Sequence, residues 1–135
     1  MIGCIVVAHG NIAQAFLDAA QAICGPLEAA RAVGIETAAD EHELFRRLSE
    51  AIKEVGRGEG VVIFTDIFGG TPSNVCFSLL QDPGVEVVTG TNLPMLVKFL
   101  TSREGASLKE IVRVVVGCGR EDICSARDLL EKGKG

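Results

Sequence analysis

The chain has 135 residues, which is enough for a single domain with its own hydrophobic core. Hydrophobic residues make up 47% and charged residues 23%, and the net charge of -5 comes without any basic run longer than a pair, so a nucleic-acid-binding protein is not expected. No apolar stretch is long enough to cross a bilayer and residues 1–8 lack a basic leader, so we expect a cytoplasmic protein.

The first half of the chain alternates strand-like and helix-like segments. The first predicted strand is Ile2–Ala8, which ends at His9. A helix follows over Ile12–Cys24, and a Gly-Pro pair ends it in the order typical of a helix C-terminus. Ala30–Ile35 predicts a weaker strand. The helical spacing of the first helix predicts four residues on its buried face: Ile12, Phe16, Ala20 and Ile23.

A second helix and the clearest strand occupy the middle of the chain. Asp40 predicts the start of the helix, because Glu43 three residues later completes an acidic version of the capping box. Glycines between positions 56 and 60 end it. Val61–Thr65 is a buried strand by its run of apolar residues, and Asp66 follows it directly. The buried stripe of the helix is predicted to be Leu44, Leu48, Ile52 and Val55.

A glycine-bearing loop, Ile67–Asn74, leads into a third helix. Thr71 is a favourable N-cap and Pro72 a favourable first helical residue. A fourth strand over Val85–Thr89 and a helix over Leu93–Thr101 complete another strand-then-helix unit. This repeated order predicts a parallel sheet covered by helices.

The composition of the tail leaves its structure open. Ile111–Val116 is rich in valine, as strands are, but its spacing also fits a helical stripe, and Ile123–Leu130 is equally ambiguous. We find no linker or repeat. The sequence therefore predicts one α/β domain spanning residues 1–135, a doubly wound, mostly parallel sheet of order 2-1-3-4 with helices on both faces.

His9 and Asp66 are the two polar residues that follow the most apolar strands. With the order 2-1-3-4 these strands are neighbours at the switch point, where doubly wound sheets bind ligands. A carboxylate that accepts the Nδ1 proton would fix the tautomer of His9 and leave Nε2 free to attack. The pair therefore predicts a nucleophilic histidine with an orienting aspartate, although each residue alone also fits a structural role.

Backbone N–H groups near the same edge suit an anion. The loop and helix start after Asp66, together with the turn into the first helix, offer such groups to a phosphoryl group. The loop lacks the spacing of a nucleotide-binding motif, so it also fits a simple tight turn. The predicted phosphate-binding residues are Gly10, Gly69, Gly70, Thr71 and Ser73.

Other polar residues are interpreted as structural or solvated. His42 lies in a charged helical turn and is expected on the surface, and Arg46 with Arg47 reads as an exposed helix face that is also suited to docking. The five cysteines form no CxxC pair and are expected to be small buried hydrophobes in a reducing compartment. With only two histidines, no metal site and no cofactor are expected.

Four motifs in order resemble the enzyme IIA component of the mannose-family phosphoenolpyruvate:sugar phosphotransferase system, over nearly the whole chain. The motifs are Val6–Gly10, Thr65–Asn74, Gly90–Leu96 and Gly119–Ile123. The resemblance implies that His9 accepts a phosphoryl group on Nε2 from the phosphohistidine of HPr and passes it to a IIB component. Asp66 matches the family's histidine-orienting aspartate, and Thr71 stands where the family carries a hydroxyl residue near the phosphate.

The same resemblance carries structural expectations. It implies a homodimer that exchanges a C-terminal antiparallel strand, with residues 108–116 helical and the segment Ile123–Leu130 as the exchanged strand. The chain ends at Gly135 with no IIB domain, so the acceptor is expected to be a separate protein, with the membrane IIC and IID components reached only indirectly. The sugar is not expected to be encoded in this carrier.

Three other functions are weighed against sugar transport. A subunit that phosphorylates a dihydroxyacetone kinase is disfavoured by the Gly69-Gly70 loop, because that branch is expected to carry a glycine-serine loop. A regulatory module that signals through its phosphorylation state remains compatible with the sequence. A hydrolase is disfavoured because no Ser or Cys nucleophile lies beside His9 and Asp66.

Overall fold

The computed structural model describes residues 1–36 and 40–133, which form four strands and six helices. In chain order they are β1 Gly3–His9, α1 Ile12–Cys24, β2 Ala30–Ile35, α2 Glu41–Val55, β3 Val61–Thr65, α3 Gly70–Leu79, β4 Val85–Val88, α4 Leu93–Ser102, α5 Leu108–Glu121 and α6 Ala126–Glu131. No helix in these ranges has both the length and the apolar character needed to cross a membrane.

The four strands form one parallel sheet in the order β2-β1-β3-β4, as the sequence predicted. In the register of β1 with β2, His9 pairs with Ile35, and in that of β1 with β3, Val7 pairs with Thr65. From β1 the chain goes to β2 at one edge of the sheet, and it then returns past β1 to form β3 on the other side. The winding therefore reverses between β1 and β3. This reversal opens a crevice at the carboxyl ends of the two central strands.

Two hydrophobic cores lie on opposite faces of the sheet, because side chains alternate along each strand. One face packs against α2 and α3, with β-strand residues such as Ile5 and Ile63. The other packs against α1, α4 and α5, with Val6 and Phe64. Phe64 meets Phe99 of α4 edge to face, with ring centroids 5.2 Å apart. The two layers confirm the predicted doubly wound architecture.

The predicted buried faces were only partly right. In α2, Leu44, Leu48 and Val55 are buried as predicted, with Ala51 completing the stripe. In α1 the buried residues are Ala13, Leu17 and Ala20, whereas Ile12 and Ile23 are exposed. The apolar face of α1 is thus turned by about one residue from the predicted one, because small alanines lie against the sheet.

One helix start and the tail correct the sequence prediction. The N-cap of α3 is Gly69 and not Thr71, which is the second helical residue. α5 covers the ambiguous valine-rich segment, in agreement with the family-based expectation. The antiparallel strand expected near residues 123–130 is wrong for the single chain, since Ala126–Glu131 is helical with Ser125 as its N-cap.

The five cysteines differ in how deeply they are buried. Cys4 and Cys76 are buried as predicted, and burial raises the pKa of the Cys4 thiol to about 12 and that of Cys76 to about 11. Cys24 and Cys118 are only half-buried and Cys124 is exposed, so the expectation of five buried thiols was too broad.

Arg103 joins the sheet to the helices on one face, although it is charged and buried. Its guanidinium donates to three backbone carbonyls, those of Ile2 at 3.1 Å, Glu28 at 2.6 Å and Ala29 at 3.4 Å. Ala29 has a positive φ of 49° without being glycine. Arg103 therefore holds the strained turn at Ala29 against the first strand through its hydrogen bonds to these carbonyls.

Replacing Arg103 tests how much this hydrogen-bonded link stabilises the fold. We expect Arg103→Met to lower the free energy of unfolding by about 2–4 kcal/mol, because three carbonyl contacts are lost. Urea unfolding measures the change, and Arg113→Met, an exposed position of α5, is the control. A loss below about 0.5 kcal/mol would contradict the structural role of Arg103.

Candidate functional site

His9 and Asp66 meet at the carboxyl edge of the sheet, as the strand order predicted. One oxygen of Asp66, Oδ2, lies 3.0 Å from His9 Nδ1 and also accepts the backbone N–H of His9 at 2.9 Å. The other oxygen, Oδ1, accepts the backbone N–H of Ile67 at 2.9 Å. The imidazole is 50% exposed and the carboxylate 16% exposed. A single carboxylate thus fixes both the backbone and the ring of His9.

The hydrogen bonds determine the charge of Asp66 and the tautomer of His9. Burial alone would raise the pKa of Asp66, but the N–H donors of His9 and Ile67 outweigh it and lower the pKa of this carboxyl. An ionised carboxylate only accepts, so Nδ1 must carry the proton in this contact. In a neutral ring, Nε2 then holds a lone pair on the exposed side.

The start of α3 forms one wall beside this pair. Gly69 and Gly70 both have positive φ values, 121° and 72°, which favour glycine, and no side chain caps the helix. By position, the N–H groups of Gly70 and Thr71 have no partner within the helix. An uncapped helix start with free N–H groups attracts an anion.

Ser73 was predicted to bind phosphate, but it does not line the cavity beside His9. It is buried, 2% exposed, and its Oγ accepts the N–H of Gly69 at 2.7 Å. The hydroxyl therefore holds the loop from behind, while Gly69, Gly70 and Thr71 line the open side.

An open cavity of about 1160 Å³ lies over His9 and the helix start. The opposite wall comes from the end of β2 and from α2, with Gly34, Glu36 and Arg47. Arg47 is the residue that sequence analysis missed, since it was grouped with Arg46 on an exposed face. Its position three residues after the buried Leu44 and four before the buried Ala51 could have separated it from Arg46.

The Gly90–Asn92 segment supports the site from below. Thr91 donates to the carbonyl of Thr65 through its backbone N–H at 3.1 Å and its hydroxyl at 2.6 Å, which holds the residue just before Asp66. Asn92 caps α4 and donates to the carbonyl of Gly119 at 3.0 Å. A Cβ at Gly119 would lie 2.7 Å from the terminal methyl of Met95, so a larger residue there would require the Met95 side chain to move. The motifs Gly90–Leu96 and Gly119–Ile123 therefore support the site through hydrogen bonds and packing.

The structure thus brings together four of the five predicted phosphate-binding residues. His9, Gly10, Gly69, Gly70 and Thr71 line one cavity, with Asp66 directly behind the imidazole. His42 lies on the exposed surface of α2, as predicted. Within the described residues, no group of three His, Cys, Asp or Glu side chains is arranged to hold a metal ion.

Comparison with known proteins gives a consistent family. A family model described as "PTS system fructose IIA component" matches residues 3–116. The PTS system fructose-specific EIIA component of Bacillus subtilis (strain 168) is 28% identical over 135 residues, covering 99% of this chain and 92% of the relative. The PTS system sorbose-specific EIIA component of Lacticaseibacillus casei is 30% identical over 109 residues, covering 80% and 78%.

A solved structure agrees with the sequence relatives. The crystal structure of phosphotransferase system component EIIA from Streptococcus agalactiae has a TM-score of 0.83 against this chain at 26% identity. The matched region covers 93% of this chain and 97% of that one. The similarity therefore includes the whole sheet and not only the motifs.

Asp66→Asn tests the charge of the carboxylate through its pH dependence. Because the pKa of Asp66 is lower in the folded protein than in the unfolded chain, its charge stabilises the fold above the unfolded value of about 3.9. That contribution is lost as the pH falls through the lower folded pKa. We expect the variant to be less stable by about 2 kcal/mol at neutral pH, with the difference shrinking toward zero in strong acid.

Urea unfolding at several pH values measures this difference. Asp18→Asn is the control, because Asp18 is exposed and its carboxylate accepts from the side chain of Gln14. A difference for Asp66→Asn that stays constant with pH would show that the charge of the carboxylate does not stabilise the fold.

Proposed function

This chain belongs to the family of phosphotransferase-system IIA components, and we propose that it is a phosphocarrier in which His9 carries the phosphoryl group. The observation that carries the proposal is the contact between Nδ1 of His9 and Oδ2 of Asp66 at 3.0 Å, with the ring half-exposed. That contact directs Nε2 away from the protein, where a partner can reach it.

The proposed transfer needs no cofactor. Nε2 attacks the phosphorus of a donor phosphohistidine, the new Nε2–P bond forms as the donor's N–P bond breaks, and the departing ring nitrogen keeps the electron pair. The positive charge that grows on the ring of His9 is stabilised by the carboxylate of Asp66. Transfer to the acceptor reverses the same steps, so one geometry serves both directions.

The helix start supports the phosphoryl group during transfer. The backbone N–H groups of Gly70 and Thr71 lie in the cavity wall beside His9, and Gly10, whose own N–H donates to Ile35, lines the same space. Phosphoryl transfer depends mainly on positioning and charge stabilisation, and both are available from this backbone. The donor in this proposal is phosphorylated HPr and the acceptor is a IIB component, with the membrane components reached only through IIB.

The site offers no basis for choosing a sugar. The two similar proteins named above are described for fructose and for sorbose, although both are EIIA components. The proposed carrier exchanges phosphate with proteins and supports carbohydrate uptake through them. Selection of the sugar then belongs to the membrane components.

Incubation with phosphoenolpyruvate, enzyme I and HPr tests the carrier function. We expect one acid-labile, base-stable phosphate per chain, lost in His9→Ala and kept in the matched control His42→Ala, since His42 lies on the exposed surface of α2. No label on the wild-type protein would refute the proposal. Label that never passes to a IIB protein would favour a regulatory role in place of sugar uptake.

Asp66→Asn in the same assay tests the orienting carboxylate. An amide can donate to Nδ1, which would move the ring proton to Nε2 and remove the nucleophile. We expect phosphorylation to slow by about 100-fold, equivalent to about 2–3 kcal/mol. An unchanged rate would remove Asp66 from the mechanism.

We also propose that the chain forms a homodimer. The C-terminal segment exposes Ile123 and Leu130, 75% and 71% exposed, and β4 is an edge strand of the sheet. Exposed apolar side chains near a free strand edge favour association. Sedimentation equilibrium should give twice the 14.2 kDa of one chain, and Ile123→Asp with Leu130→Asp should shift the mass toward one chain. A monomeric wild-type protein would contradict the proposal.

A further inference from the structure

Arg47 is fixed at the edge of the cavity that contains His9. It is half-buried in α2, and its Nη1 donates to the carbonyl of Gly34 at 2.8 Å. The next carbonyl, that of Ile35, accepts the N–H of Gly10 at 3.1 Å and so points toward β1. The Gly34 carbonyl therefore points to the free edge of β2, and Arg47 is anchored there at the carboxyl end of the sheet.

Gly34, which anchors Arg47, lies directly against Gly10, the residue that follows His9. Ala8 is opposite Gly34 in the register of β1 with β2, and a Cβ at Gly34 would lie 3.0 Å from the carbonyl oxygen of Gly10. The hydrogen bond to Gly34 uses one of the five N–H donors of the guanidinium. Donors are thus left for a ligand in the cavity that Arg47 lines.

Arg47 differs in charge from the other ionisable residues around the cavity. Glu36 and Glu43 line the same space, and among the described lining residues Arg47 is the single Lys or Arg side chain. Glu43 is already paired with Arg46, whose Nη2 lies 2.6 Å from Oε1. Within residues 1–36 and 40–133, no carboxylate forms an ion pair with Arg47. Its positive charge is therefore available to a bound anion.

We propose that Arg47 is a phosphoryl-binding residue of this site, whose guanidinium contacts the phosphoryl oxygens as the group moves between the incoming donor and Nε2 of His9. This inference rests on the phosphocarrier function proposed above and adds a residue to it. A guanidinium fork matches the oxygens of a phosphoryl group, and it supplies a full positive charge where the helix start supplies only a partial one. Without it, a dianion would meet the carboxylates of Glu36 and Glu43 with no full cation in the described lining.

A purely structural role makes a different prediction. If Arg47 only ties α2 to the edge of β2, its loss lowers stability and leaves the dependence on donor concentration unchanged. The two roles are separated by the rate of His9 phosphorylation measured against the concentration of phosphorylated HPr, together with thermal unfolding of each variant.

Three variants test the proposal. We expect Arg47→Gln to lower kcat/KM for phosphorylated HPr about tenfold, mainly by raising KM, and Arg47→Lys to lower it less than Arg47→Gln does, because it keeps the charge but not the fork. Arg46→Gln is the matched control. It removes the same charge from the neighbouring residue, whose side chain is already paired with Glu43 and Glu50. It should stay within about twofold of the wild type.

The outcomes distinguish this inference from the carrier function. An unlabelled wild-type protein would refute the carrier function and this inference with it. A labelled wild-type protein with Arg47→Gln unchanged, or with Arg46→Gln reduced as strongly, would refute the role of Arg47 alone.

A measurement on the wild-type protein covers the case in which Arg47→Gln does not fold. The Nε–Hε resonance of Arg47, assigned by its absence in Arg47→Lys, should shift by more than its linewidth when His9 is phosphorylated, whereas that of Arg46 should not. An Arg47 resonance that does not move on phosphorylation would overturn the proposal.

Discussion

The parallel pairing of β1 with β3 is the constraint on which the site depends. Val7 lies opposite Thr65, so Asp66, which follows β3, lies beside His9, the last residue of β1, at the switch point. Asp66 can then bind both the backbone N–H and the ring of His9 through one oxygen. If the register slipped by one residue, that carboxylate would face the other side of the sheet and the ring of His9 would have no fixed tautomer.

Much of the fold was predictable because each strand is a short apolar run bounded by turn residues. The limits of α1 and β2 and the strand order agree with the structure. The central strands β1 and β3 are buried on both faces, which leaves an uninterrupted hydrophobic pattern. The start of α3 was not predictable from capping preferences, because two glycines with positive φ begin the helix earlier than Thr71. The tail segment 126–131 has helix-forming residues but no buried face, so its pattern could not decide between helix and strand.

The chemistry of the site was predictable to a smaller extent than the fold. His9 and Asp66 could be found because strand ends are defined by local sequence, and the sheet order brings them together. The roles of Ser73 and Arg47 depend on tertiary contacts: a buried hydroxyl that holds Gly69, and a guanidinium that reaches the edge carbonyl of Gly34. The contact of Ser73 leaves no periodic signal, whereas the spacing of Arg47 from Leu44 and Ala51 was informative.

The half-exposed imidazole has a consequence for how long the proposed carrier would stay phosphorylated. A ring open enough for another protein to reach is also open to solvent, so enclosure cannot keep water away from a phosphorus–nitrogen bond on Nε2. The lifetime of that bond must then depend on the electronic state of the ring, which the lone carboxylate of Asp66 governs through Nδ1. In the proposed carrier, the contact that would prepare His9 to receive the group would therefore also set how slowly water removes it.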